Sequence, residues 1–149
     1  MKDINLVGNE KGTTAVETAI IIIPLMLLIF GIIEFGLLLF NKQVLTNASR
    51  EGARAGIVVG LGHSGGSGAE YVIESQDETF AFCTGHLVTF GPGIPYIDPP
   101  YYIDRDGNDL PSRGDDLTLR LRYQYDFLFL SVFGIGPVDV NAVTIMKFE

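Results

Sequence analysis

An α+β architecture, in which a long membrane-spanning N-terminal helix leads into a small domain with a second short helix and an antiparallel sheet, is expected from three features of this 149-residue chain. The apolar residues crowd into one run, Ala19 to Phe40. Helical spacing continues past that run and stops at a Gly/Ser stretch, residues 60–68. Further on, Leu117 to Tyr125 alternates apolar and polar residues without a break, as a strand with one buried face does. Eighteen acidic against ten basic residues give a formal charge of -8 and no basic field for phosphates, so no nucleic-acid partner is expected. The single Cys83 cannot close an intrachain disulfide.

The first element is the membrane helix. Ala19 to Phe40 is interrupted only by Pro24, Gly31, Gly36 and one charged residue, Glu34. As a helix this run is about 33 Å long, enough to cross a hydrocarbon core of about 30 Å. Helices in soluble cores are usually shorter and carry a polar face. A cleaved signal peptide has a shorter apolar core and a small-residue cleavage site, whereas Phe40 leads into Asn41, Lys42 and Gln43. The run is therefore read as a retained single-pass anchor, with the lipid bilayer as its partner. Pro24 removes a hydrogen bond to the Ile20 carbonyl and lends the span local compliance. An ionised Glu34 costs about 2.5 to 3.5 kcal/mol at the centre of a bilayer, which leaves two readings: an interfacial carboxylate or a contact with a partner helix. Positive charges are ambiguous about orientation. Lys2 and Lys11 precede the span, Lys42, Arg50 and Arg54 follow it, and a bare count puts the C-terminal domain in the cytoplasm.

At the upstream border, Thr13 or Thr14 is placed to cap the helix and Glu17 to favour the positive end of its dipole. Downstream, Val44, Ala48, Gly52, Ala55 and Val59 recur at spacings of three and four with no proline, so one helix is expected over 13–59. The small residues Ala48, Gly52 and Ala55 allow another element to approach closely, either the chain's own sheet or a second subunit.

Gly12 is followed by four residues and Glu17, the wording around the cleavage site of type IV pilin precursors. Around it stand Ala15-Val16-Glu17, Ala19, Pro24, Gly31, Glu34-Phe35-Gly36 and Ala48-Ser49-Arg50-Glu51-Gly52-Ala53-Arg54. Near the C-terminus come Gly114, Tyr123-x-Tyr125 and a final Met146-Lys147-Phe148-Glu149. Together these resemble the TadE-like family of the tight-adherence (Flp) pilus system, membrane-anchored pseudopilins. Thr18 departs from the aromatic residue that the family more often has after the Glu.

The resemblance implies a leader, residues 1–12, removed on the cytoplasmic face by prepilin peptidase between Gly12 and Thr13. It implies that Glu17 neutralises the new Thr13 amine of a neighbouring subunit, since each charge alone is costly in a low-dielectric bundle. Pro24 and Glu34 join Glu17 as assembly residues, and Ala48, Arg50, Glu51, Gly52 and Arg54 are the candidate interface. The implied partners are other pilin or pseudopilin subunits, the peptidase and the pilus assembly platform. The implied location is the bacterial inner membrane, single-pass, with the C-terminal domain periplasmic and the subunit available to an extracellular filament serving secretion or cell adhesion. The alternative is a membrane-tethered periplasmic binding protein that never polymerises. No enzyme, catalytic residue, metal or cofactor is expected, because neither a His/Cys cluster nor a spaced acid/base constellation is present.

The remaining elements follow in order. Residues 60–68 read as a hinge; they lack the Lys-Ser or Lys-Thr of a phosphate loop, and His63-Ser64 lacks a nucleophile elbow. In the small domain, 69–149, an amphipathic helix is expected from Ala69 to Cys83, with Val72, Ile73, Phe80 and Cys83 on its apolar stripe. Cys83 is expected as a buried small residue. Leu87 to Phe90 suggests a first strand, followed by a turn-rich connection through Pro95 and Pro99-Pro100. Asp104 to Asp109 matches a calcium loop at its first, third and fifth positions, but Gly107 falls in the wrong place and an acidic turn is the default. Leu117, Leu119, Leu121, Tyr123 and Tyr125 share the inner face of the main strand, and Val138 to Phe148 supplies its partner.

Overall fold

The computed structural model describes residues 10–62, 70–89, 93–107 and 112–149. Helix α1 runs from Glu10 to Gly62 and helix α2 from Glu70 to His86. The strands are β1 (Tyr96–Ile97), β2 (Tyr101–Ile103), β3 (Asp116–Tyr125) and β4 (Val138–Lys147), with a 3-10 turn at Leu130–Phe133 between the last two. This is the expected α+β arrangement of a long apolar helix, a short helix and an antiparallel sheet.

Both ends of α1 extend beyond their expected positions. Thr13 and Thr14 lie inside the helix rather than capping it, and Thr18 Oγ1 donates to the Thr14 carbonyl at 2.8 Å. Pro24 sits within the helix without ending it. At the far end, Gly60 to Gly62 are helical, because each glycine costs a helix only about 1 kcal/mol and no proline enforces a stop. Residues 63–68 of the expected hinge, with His63 and Ser64, and residues 1–9 of the expected leader lie outside the described residues.

The sheet is organised around β3. Strand β4 pairs antiparallel with it along its full length, from Asp116 opposite Lys147 to Tyr125 opposite Val138. On the other edge β1 and β2 lie end to end, with Tyr96 opposite Arg122 and Tyr101 opposite Thr118. The alternation in β3 is realised as expected: Leu117, Leu119, Leu121, Tyr123 and Tyr125 are buried while Arg120, Arg122 and Gln124 are exposed. Thr118 is the exception on the outer face, covered between Tyr101 and Ile145 of the flanking strands.

The buried face of β3 meets Leu45, Ala48 and Ala53 of α1, with Cys83 of α2, Val140, Ala142 and Phe148 completing the core. Helix α2 realises only part of the expected stripe, with Val72 packed against the core and Cys83 within it. Ser75, Thr79 and Cys83 are buried, whereas Ile73 and Phe80 are exposed. The reason lies on α1: Gly52 admits α2 so closely that a Cβ there would run into Thr79 Oγ1 and lie 2.7 Å from the Ser75 carbonyl. Only small side chains fit such a crossing.

The expected strand over Leu87 to Phe90 is not formed at Leu87 to Thr89, and Phe90 is outside the described residues. Asn41 of α1 takes the place of a neighbouring strand. Its side-chain amide donates to the Val88 carbonyl at 2.7 Å and its Oδ1 accepts the Val88 N–H at 3.0 Å. The residues expected as a turn-rich connection instead supply β1 and β2, both short as the flanking Pro95, Pro99 and Pro100 require.

Candidate functional site: the apolar arm and its junction with the sheet

The N-terminal half of α1 stands clear of the domain. Only 6% of its most apolar window is buried, and Ile20, Ile21, Ile23 and Ile32 are each about two-thirds exposed. A helix in a soluble core would be covered; this one, long and apolar enough to cross a membrane, presents hydrocarbon all round. It is a membrane anchor. Gly12, Thr13, Glu17 and Pro24 all lie on this exposed arm.

Coverage begins at the half-buried Phe30 and is complete at Glu34, which has no exposed surface. Its Oε1 accepts the Leu128 N–H at 2.6 Å and the Tyr125 hydroxyl at 3.3 Å, and its Oε2 accepts the Phe129 N–H at 2.9 Å. Every one of these contacts uses the carboxyl group as acceptor, and every donor belongs to the end of β3 or the connection after it. Sequence reasoning left Glu34 to a lipid interface or a partner helix; its partners lie within its own chain, 91 to 95 positions away. Phe30, one turn nearer the N-terminus, stacks on Phe129 with ring centroids 4.2 Å apart and planes 14° from parallel. Tyr125 meets Phe127 edge-on at 5.4 Å. Burial, and then the neighbouring Glu34 carboxylate, pushes the Tyr125 phenol up to about 12.

Two turns further along α1 the domain is seated by polar bonds. Asn41 holds Val88 as described, Lys42 Nζ donates to the Asn141 carbonyl, and the Ser49 and Thr144 hydroxyls lie 2.6 Å apart. Ala48 and Gly52, candidates for a subunit interface, are packed inside the subunit's own core. Arg50, Glu51 and Arg54 of the same stretch are exposed.

Residues 12–54 match the family model described as TadE-like protein. The anchor segment is TadE-like. The TadE-like match begins at the Gly12 of the expected processing site, takes in Glu17, Pro24 and Glu34, and closes on Arg54. No curated protein and no solved structure matches the chain. Glu34 thus lies in the TadE-like segment, while all its hydrogen-bond donors lie in the sheet domain beyond it.

Away from this junction, titratable groups gather at the turn before β3. Asp104, Asp106 and Asp115 bring carboxylate oxygens within 4.8 Å of one another. Their oxygens already serve the turn: Asp104 Oδ1 accepts the N–H groups of Asp106 and Gly107, and Asp115 accepts those of Arg105 and Ser112 at 2.9 Å each. The Arg105 N–H foremost, with the Ser112 donors, holds the Asp115 carboxyl below the usual carboxylate range. Asn108 and Asp109 of the calcium-like pattern lie outside the described residues. Cys83 is fully buried, and burial pushes its thiol up to about 11, away from nucleophilic reactivity.

Proposed function

We propose that this chain is a pseudopilin-like subunit of a tight-adherence-type pilus or a related secretion filament, cut by prepilin peptidase between Gly12 and Thr13. The observation that carries the reading is the TadE-like match starting at Gly12 on a helix whose apolar half is uncovered in the monomer. Exposed apolar helices find two environments, lipid before assembly and other such helices after it. Glu17 stands exposed on this arm, five positions after Gly12, available to the Thr13 amine of a neighbouring subunit. In a bundle stripped of water that pairing offsets the desolvation of both groups and fixes the register of adjacent helices. The role is structural rather than catalytic, with the sheet domain on the periplasmic side of the inner membrane and the assembly platform as a further partner.

Mass spectrometry of the membrane-extracted protein from cells with an active prepilin peptidase tests the reading. The expected N-terminus is Thr13, and Glu17→Ala is expected to insert normally while abolishing most filament incorporation. An intact chain beginning at Met1 supports the non-polymerising tether instead, and unchanged piliation with Glu17→Ala removes Glu17 from assembly.

A further inference from the structure

We propose that the connection between β3 and β4, residues 126–137, is a second membrane-embedded element, lying in the hydrocarbon beside α1 with lipid acyl chains as its partner. The proposal rests on α1 crossing the bilayer and not on leader removal or filament assembly.

Composition supplies the first argument. Between Asp126 and Asp139 there is no charged residue, and Phe127, Leu128, Phe129, Leu130, Val132, Phe133 and Ile135 fill most of the interval. Phe127 packs against the edge of the core, but the other six are not part of it. Val132 is 81% exposed and Phe133 66%, with Leu128 and Ile135 also exposed. Each such side chain is stabilised by leaving water, so the cluster favours an apolar phase.

Position supplies the second. The connection projects past the end of the sheet towards the N-terminus of α1, along the uncovered arm. Phe129 stacks on Phe30, and a groove of about 360 Å³ runs between Leu130 and Phe133 on one side and Ile22, Met26 and Phe30 on the other. At about 1.5 Å per residue, Phe30, Met26 and Ile22 lie about 6, 12 and 18 Å from Glu34, from the middle of the span towards its N-terminal border. The exposed side chains of the connection therefore continue the lipid-facing surface of α1 at the same depth.

Backbone chemistry supplies the third, and it is independent of hydropathy. Irregular chain enters hydrocarbon only where its polar groups find partners, since each unsatisfied group costs several kcal/mol there. Here Glu34 takes the N–H groups of Leu128 and Phe129. The N–H groups of Val132, Gly134 and Ile135 are taken by the carbonyls of Phe129, Ser131 and Leu130. Ser131 Oγ donates to the Leu128 carbonyl, so the hydroxyl is satisfied as well. Gly134, at φ 80°, reverses the chain without strain. Glu34 thus takes two donors at the top of an element whose own turn takes three more.

The test uses the full chain with Cys83→Ala, reconstituted in phosphatidylcholine vesicles and carrying one nitroxide label at a time. Val132→Cys reports the connection, Leu28→Cys the exposed face of the span, and Val143→Cys the exposed face of β4. Relaxation by oxygen, which concentrates in lipid, is compared with relaxation by a water-soluble nickel chelate. The label at Val132 is expected to match that at Leu28, with several-fold greater response to oxygen than to nickel, and to differ from that at Val143. A Val132 label as open to nickel as Val143, beside a lipid-like Leu28, overturns the proposal and leaves the anchor standing. A Val132 label shielded from both reagents and broadened by spin–spin coupling overturns it in favour of a second copy of the chain. A nickel-accessible Leu28 removes the anchor and the proposal together. If Cys83→Ala does not fold, the native background serves, because the Cys83 thiol is fully buried.

Discussion

Glu34 holds two elements to each other through one side chain. It is the only charged residue of the apolar run, and insertion scales make that costly; three donors from the chain's own β3 end meet the demand. Hydrogen bonds to a charged group are worth about 1.5 to 3 kcal/mol, and a buried donor left alone costs about 1 to 3. Glu34→Ala is therefore expected to speed amide exchange at Leu128 and Phe129 by about tenfold or more, the equivalent of about 1.4 kcal/mol, in detergent-solubilised protein. The same variant is expected to lower the Tyr125 titration in the ultraviolet, since the Glu34 charge and hydrogen bond both raise it while burial, the larger cause, remains. In the parent the folded-state value of about 12 exceeds the ordinary phenol value of about 10. The resulting stability is fully present below pH about 10 and is lost as pH rises towards 12. Unchanged exchange and an unchanged titration would remove Glu34 as the tether.

At the scale of elements, the crossing of α1 and α2 turns on Gly52. Replacing a glycine within a helix by alanine ordinarily stabilises it by roughly 0.5 to 1 kcal/mol. Here the added methyl meets Thr79 Oγ1 and the Ser75 carbonyl, and the latter is backbone that cannot rotate away. Overpacking of this kind costs about 1 to 3 kcal/mol, so the clash wins. Gly52→Ala is expected to lower the thermal midpoint, and Thr79→Ala added to it to recover part of the loss; a midpoint at or above the parent's would show that α2 shifts freely. The Ala48 to Arg54 stretch illustrates how one sequence pattern serves two readings. Small residues at helical spacing announce close approach but not the identity of what approaches, and the partner is α2 and β3 of the same chain.

For the whole molecule, orientation is the property on which charge and the proposed function disagree. The positive residues after the span do not behave as a free cytoplasmic loop: Lys42 donates to the Asn141 carbonyl, while Arg50 and Arg54 lie on a continuous helix. The positive-inside rule counts charges in short loops, and these belong to a folded domain. A phosphatase reporter that folds only outside the reducing cytoplasm, fused after Glu149, is expected to be active; an inactive phosphatase, with activity instead from a cytoplasm-specific reporter fused at the same point, would reverse the assignment.

The long helix, its apolar span, the inner face of β3 and the β4 partner were all legible in the residues, because each is a periodic pattern whose period is set by local backbone geometry. The TadE-like wording from Gly12 to Arg54 was legible for a different reason, as a contiguous string. What occupied each face was not. The rotation of α2, the missing strand at Leu87 to Thr89 and the burial of Glu34 depend on residues 23 to 95 positions apart in the chain, Gly52 with Ser75, Asn41 with Val88, Glu34 with Phe129. Local sequence can state that a group needs a partner; three-dimensional packing supplies which one, since a hydrogen bond or a close contact is a matter of distance in space and leaves no period along the chain.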